Sequence, residues 1–189
     1  MPPKVRVTKE DIITASINMV REKGAESLNA RAIATYMGCS TQPIFSNYAS
    51  MEELKQDVMK NTYKIYLDFL KREMDSNKYP PYKATGMGYI RFAKEEKELF
   101  KMLFMRDRSK EPVEDDFDES TQTSIAIMQK NLGLSHEKAK QFHLEMWIYV
   151  HGIASLLVTS YLPLEWKDIS NMVTDVYEGM KKRYLPEEV

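Results

Sequence analysis

Apolar positions recur at spacings of three and four almost from end to end, with no alternating run bounded by hairpin turns, so the chain reads as about nine helices and no sheet. The first helix is predicted over 8–23. Thr8 and Asp11 have the spacing of a capping box at its start, and Gly24 can take the left-handed backbone of a helix stop. Ile12, Ile13, Ser16, Ile17, Met19 and Val20 form its inward stripe. Short helices follow over 30–36 and 41–47, and a long one opens at Ser50, where Glu53 repeats the capping-box spacing. Tyr79-Pro80-Pro81 breaks the chain, since neither proline fits a helix interior, and a helix restarts at Pro81. The stretch 135–160 is apolar nearly all round, which predicts burial on two sides. Over 168–184, Ile169, Met172, Val173, Val176, Tyr177 and Met180 form a coiled-coil-like seam.

Composition narrows the class. The 189 residues are 43% hydrophobic and 29% charged, ordinary for a folded globular chain. No run approaches the length of a membrane span and the N-terminus lacks the apolar core of a secretory signal, so a cytoplasmic protein without a membrane partner is expected. The single cysteine, Cys39, excludes an internal disulfide framework or a thiolate metal cluster and reads as a small core filler. The net charge is −1, but residues 1–48 hold six cations against four anions, giving +2 there and −3 beyond, a modest asymmetry of the sign that favours nucleic acid. Between Glu111 and Glu119, six carboxylates in nine residues predict a solvated loop.

The segment from Asn29 to Tyr48 carries the most specific chemistry. Two short helices cross tightly when the first offers a small residue, the turn admits a positive φ and the second closes the wedge with an apolar residue. Ala34, Gly38 and Ile44 meet those needs in order, Ser40 is placed to cap the second helix, and Pro43 falls in its first turn. This is a helix-turn-helix, whose second helix enters the major groove of duplex DNA by its N-terminal part. Thr41 and Gln42 are therefore candidates for base contact, with Gln42 able to pair with adenine and Arg31 able to reach guanine or phosphate. Lys4, Arg6, Thr8, Asn29, Asn47 and Tyr48 are candidates for the DNA backbone.

The run from Leu28 to Leu54, ending Phe45-Ser-Asn-Tyr48-Ala-Ser50-Met-Glu-Glu-Leu54, resembles the DNA-binding region of TetR-family transcriptional regulators, and the likeness extends over about 8–58. Trp147-Ile-Tyr-Val-His151-Gly152 resembles a Trp…His-Gly signature of one subgroup of that family's ligand-binding domains. Three positions depart from the pattern: Gln42 stands where glycine is common, Phe45 where a tyrosine usually offers its hydroxyl to phosphate, and Met51 where lysine is usual. The resemblance implies an all-α protein with a three-helix DNA-binding domain over 1–50 and a larger effector-binding and dimerisation domain over 51–189. It also implies a homodimer, with the last two helices at its interface. Ile153, Leu157, Met172, Val173, Val176 and Met180 are the residues expected there. Such a dimer reads a pseudopalindromic double-stranded operator with recognition helices about one DNA turn apart.

A pocket for a small apolar or aromatic effector is implied mainly by the resemblance. Tyr63, Tyr66, Tyr89, Phe92, Phe104, Met105, Phe142, Met146, Trp147 and His151 are its candidate lining, although helical spacing makes any one of them a core residue first. Effector binding would move the long fourth helix and release the operator, which describes a repressor. No cofactor or metal is expected: His136, His143 and His151 show no zinc spacing, and no phosphate loop, nucleophile elbow or paired-cysteine motif of an enzyme is present. Two other readings remain open on the residues, namely a helix-turn-helix regulator governed by a protein partner or by nothing, and a helical dimer that does not bind DNA.

Overall fold

The computed structural model describes residues 7–109 and 119–185. Nine α-helices and one short 3-10 turn, with no strand, make up the secondary structure among these residues. α1 (Lys9–Lys23) begins with a complete capping box: the Asp11 backbone N–H donates to Thr8 Oγ1 at 3.1 Å and the Thr8 N–H donates to Asp11 Oδ2 at 2.8 Å. It stops at Gly24, at φ +78°. α2 (Ala30–Tyr36) and α3 (Gln42–Asn47) follow, then α4 (Met51–Asp75), whose first turn is held by a Glu53 N–H to Ser50 Oγ bond of 3.2 Å. α5 (Pro81–Glu95) restarts at the second proline, and α6 (Lys97–Phe104), α7 (Glu119–Leu132), α8 (His136–Val158) and α9 (Trp166–Tyr184) complete the chain. The acidic loop expected over Glu111–Glu119 lies, up to Asp118, outside the described residues, as do Lys4 and Arg6.

The chain divides into two compact units, 1–65 with 96–106 and 66–95 with 107–189. The border expected at residue 50 coincides with the start of α4, whereas the first unit continues along that helix to Ile65 and takes in α6 as well. That unit is centred on Ile12, Val20, Ile33, Ile44, Leu54, Leu99 and Phe100, each all but inaccessible to solvent. Ile13, expected among them, is only half-buried. α6 packs on α1, and Arg21 forks the carboxylate of Glu96 through Nε at 2.9 Å and Nη2 at 2.8 Å.

In the second unit, α5 and α7 pack on α8, and α9 lies against α8 and α5. The last turns of α4 meet α5 at Gly88, where a Cβ would fall 2.9 Å from Leu70 Cα. Glu73, buried near the end of α4, pairs with Arg91 on α5, whose guanidinium lies 4.3 Å from the centroid of the Trp166 ring. At the far end of this unit Glu145 accepts from Gln141, Arg183 and Tyr184, which holds the carboxyl below its usual range and ties α9 to α8.

Candidate functional site

The helix-turn-helix is built as its sequence requires. Ala34 and Ile44 are buried, Gly38 has φ +66°, and the turn closes through Cys39 N–H to Ala34 O at 2.9 Å and Gly38 N–H to Thr35 O at 3.1 Å. One local expectation is corrected: Thr41, not Ser40, occupies the N-cap of α3, and no side chain bonds to the free N–H groups there. Thr41 is itself in the helical region at φ −72°, ψ −13°, not in the extended conformation from which a capping side chain reaches back to the first turn.

The solvent face of α3 presents Gln42, Phe45 and Ser46, one helical turn in register, while Ile44 and Tyr48 face inward. Arg31 is exposed on the first turn of α2. The residues proposed for phosphate contact are mostly engaged in the fold itself. Thr8 serves the α1 capping box, and Asn29 caps α2 by accepting from Ala32 N–H at 2.9 Å. Asn47 donates to Pro43 O at 2.8 Å. Tyr48 is a correction outright: with 2% of its surface exposed it is a core residue and cannot lie against a DNA backbone. Burial, reinforced by the nearby Asp57 carboxylate, pushes its phenol up to about 12. The side chain on that surface is Lys9, which lies 4.5 Å from the Tyr48 ring centroid and pairs with Glu53 at 3.3 Å.

The aromatic residues proposed to line a pocket separate into groups. Tyr63, Phe104 and Met105 belong to the first unit, where Phe104 rests on Phe100 with centroids 5.2 Å apart and Met105 is exposed. In the second unit Tyr66 meets Tyr89 edge-on at 5.9 Å and Phe92 at 5.6 Å. Phe142 joins a different cluster, with Tyr82, Tyr177 and Tyr184, residues that the sequence reading leaves out of the site. Their signal is weak, because Tyr177 sits in the seam assigned to dimerisation and Tyr184 at a helix end.

Polar chemistry concentrates around His151. The Tyr89 hydroxyl is 2.8 Å from His151 Nδ1, and the Trp147 ring stacks on the imidazole with centroids 5.0 Å apart. Burial holds the Tyr89 phenol well above its usual range, opposed by a hydrogen bond from Trp147. An indole can only donate, so the Tyr89 oxygen accepts from Trp147, and the phenol O–H remains able to donate to an unprotonated His151 Nδ1. Burial lowers the pKa of the His151 imidazole, which favours the neutral ring. Met146 is buried beside this group on the inner side of α8.

The outer side of α8 is apolar and open: Leu144 and Trp147 are more than a third exposed and Ile148 is 57% exposed. Two residues expected at a subunit interface are corrected here, for Ile153 and Val173 are each only 3% exposed and are consumed by the chain's own core. Leu157, Met172, Val176 and Met180 remain half-exposed. Among the described residues no group of three or more His, Cys, Asp or Glu is disposed to hold a metal ion, and no helix is long and apolar enough to cross a membrane.

Residues 82–178 match the family described as tetracyclin repressor-like, C-terminal domain. No curated protein matches the chain. Among solved structures the chain is similar to a TetR-like transcriptional regulator from Rhodococcus sp. RHA1, with 15% identity and a TM-score of 0.63, all of both chains being covered. At that identity the likeness is one of fold.

Proposed function

Since the chain belongs to the TetR family of transcriptional regulators and is not an enzyme, we propose that it acts in the cytoplasm as a homodimeric repressor. It holds a pseudopalindromic operator and releases it when a small apolar or aromatic effector binds. The observation that carries this reading is the helix-turn-helix: a sealed wedge of Ala34, Gly38 and Ile44 behind a solvent face that offers hydrogen-bonding and apolar groups in register. Gln42 and Thr41, with Arg31 beside them, are the base-reading residues in this proposal. Lys9 joins the flanking cations Lys4 and Arg6 as a phosphate contact.

Dimerisation is supported by the open apolar side of α8, where Leu144, Trp147 and Ile148 are left uncovered by the described residues of the chain. Effector binding is supported by the Tyr66, Tyr89, Phe92 group with His151 and Trp147 at its edge, apolar rings beside a few polar atoms. The test is selection of random duplex DNA by the purified protein at physiological salt. A pseudopalindrome is the expected product, and Gln42→Ala should alter the preference at one position of each half-site, by about 1–3 kcal/mol, while the dimer persists. A selected sequence identical for both proteins would remove Gln42 from the reading set.

A further inference from the structure

Among the described residues of the first unit, Phe45 is the most exposed large apolar side chain, at 54%, against 43% for Met105 and 38% for Tyr36. Tyr36 has a reason to face water, because its hydroxyl donates to Glu22 Oε1 at 2.8 Å. Phe45 has no polar atom. It stands in the middle of α3, on the same face as Gln42, one turn along.

We infer that Phe45 determines sequence specificity by packing its ring on the C5-methyl of one thymine in each half-site, on the base pair next to the one met by Gln42. The inference rests on the DNA-binding reading proposed above. A phenyl ring can neither donate to nor accept from a phosphate, so the role open to it in a major groove is apolar contact, and the thymine methyl is the apolar group exposed there. The rest of the face narrows the choice. Ser46 spends its hydroxyl proton on the Gln42 carbonyl, at 2.9 Å, and no Lys or Arg occurs from Ala32 through Leu54, so α3 has no side chain suited to the two acceptors of guanine. Three helical residues rise about 4.5 Å, close to the roughly 3.4 Å step between stacked base pairs, which sets the two contacts on neighbouring pairs.

The experiment uses the full chain and its selected operator, with each thymine in turn replaced by deoxyuridine in both half-sites. That exchange deletes a methyl and leaves base pairing intact. At one position the loss should weaken binding about four-fold per half-site, the value of one buried methyl-sized group. Phe45→Ala should bind the thymine and uracil operators equally, and Phe45→Leu should keep part of the difference; unchanged thermal midpoints show that both variants are folded. Indifference of the natural chain to every replacement, or a penalty that survives in Phe45→Ala, overturns the assignment. So does an equal loss on operator and random duplex, which would put the ring on the DNA backbone or on a protein partner's surface. Recovery of no preferred sequence would overturn the DNA-binding reading itself, a result distinct from a palindrome that ignores uracil.

Discussion

His151 joins local chemistry to a measurable property. Its Nδ1 lies 2.8 Å from the Tyr89 hydroxyl and its ring is covered by Trp147, so protonation would place a charge on a partly buried ring. Burial lowers its pKa below the 6.5 of a free imidazole. The unfolded chain therefore takes up a proton near that pH which the folded chain still refuses, and stability declines as pH falls below it. The thermal midpoint of the protein should drop between pH 7.5 and 5.5 more steeply than that of His151→Gln, which keeps a polar side chain but cannot titrate. Parallel curves for the two proteins would show that the imidazole is not held neutral by its surroundings.

Helix boundaries are legible in the sequence wherever a cap or breaker marks them. Thr8 with Asp11, Asn29, Ser50 with Glu53 and Pro81 each begin a helix within a residue or two of its expected position, because each satisfies or removes a backbone N–H locally. The break between α5 and α6 is not legible. Lys94-Glu95-Glu96-Lys97 is a run of good helix formers, yet Glu96 leaves helical geometry at φ −122°, ψ 55° and gives its carboxylate to Arg21, far away in sequence. Tyr48 misleads for a similar reason: an aromatic after α3 looks available to DNA until the start of α4 closes over it.

Gly88 shows the opposite case, a small residue inside a helix that only a neighbouring helix explains. The backbone of α4 at Leu70 occupies the space of its missing side chain, with Phe69 O 3.1 Å from where a Cβ would stand. Backbone cannot turn aside as a flexible side chain can. Gly88→Ala should thus destabilise the protein by about 1–3 kcal/mol despite the better helix propensity of alanine. Urea titration would settle the sign, and a gain in stability would mean that the two helices part easily.

The assembly proposed for the whole molecule turns on the outer side of α8. The expectation of an interface draws on α8 being apolar all round and on the seam of α9, but patterns of that kind cannot tell which stripe is spent within the chain, and Ile153 of α8 and Val173 of α9 are on the spent sides. Ile148, by contrast, is free to serve. Ile148→Glu should convert the dimer to monomer in sedimentation and, with only one half-site engaged at a time, weaken operator binding by more than ten-fold. A dimeric variant of full affinity would move the interface elsewhere.

A recognition helix without a charged side chain has a consequence for how such a protein would share a chromosome. Ion release on binding would come from the flanking cations proposed for phosphate contact, Lys4, Arg6 and Lys9, which grip any duplex alike. A rise in intracellular potassium would then loosen the protein from its operator and from bulk DNA in the same proportion. The fraction of time spent at the correct site, among all sites occupied, would stay nearly constant through an osmotic shock that changes how much of the protein is bound at all.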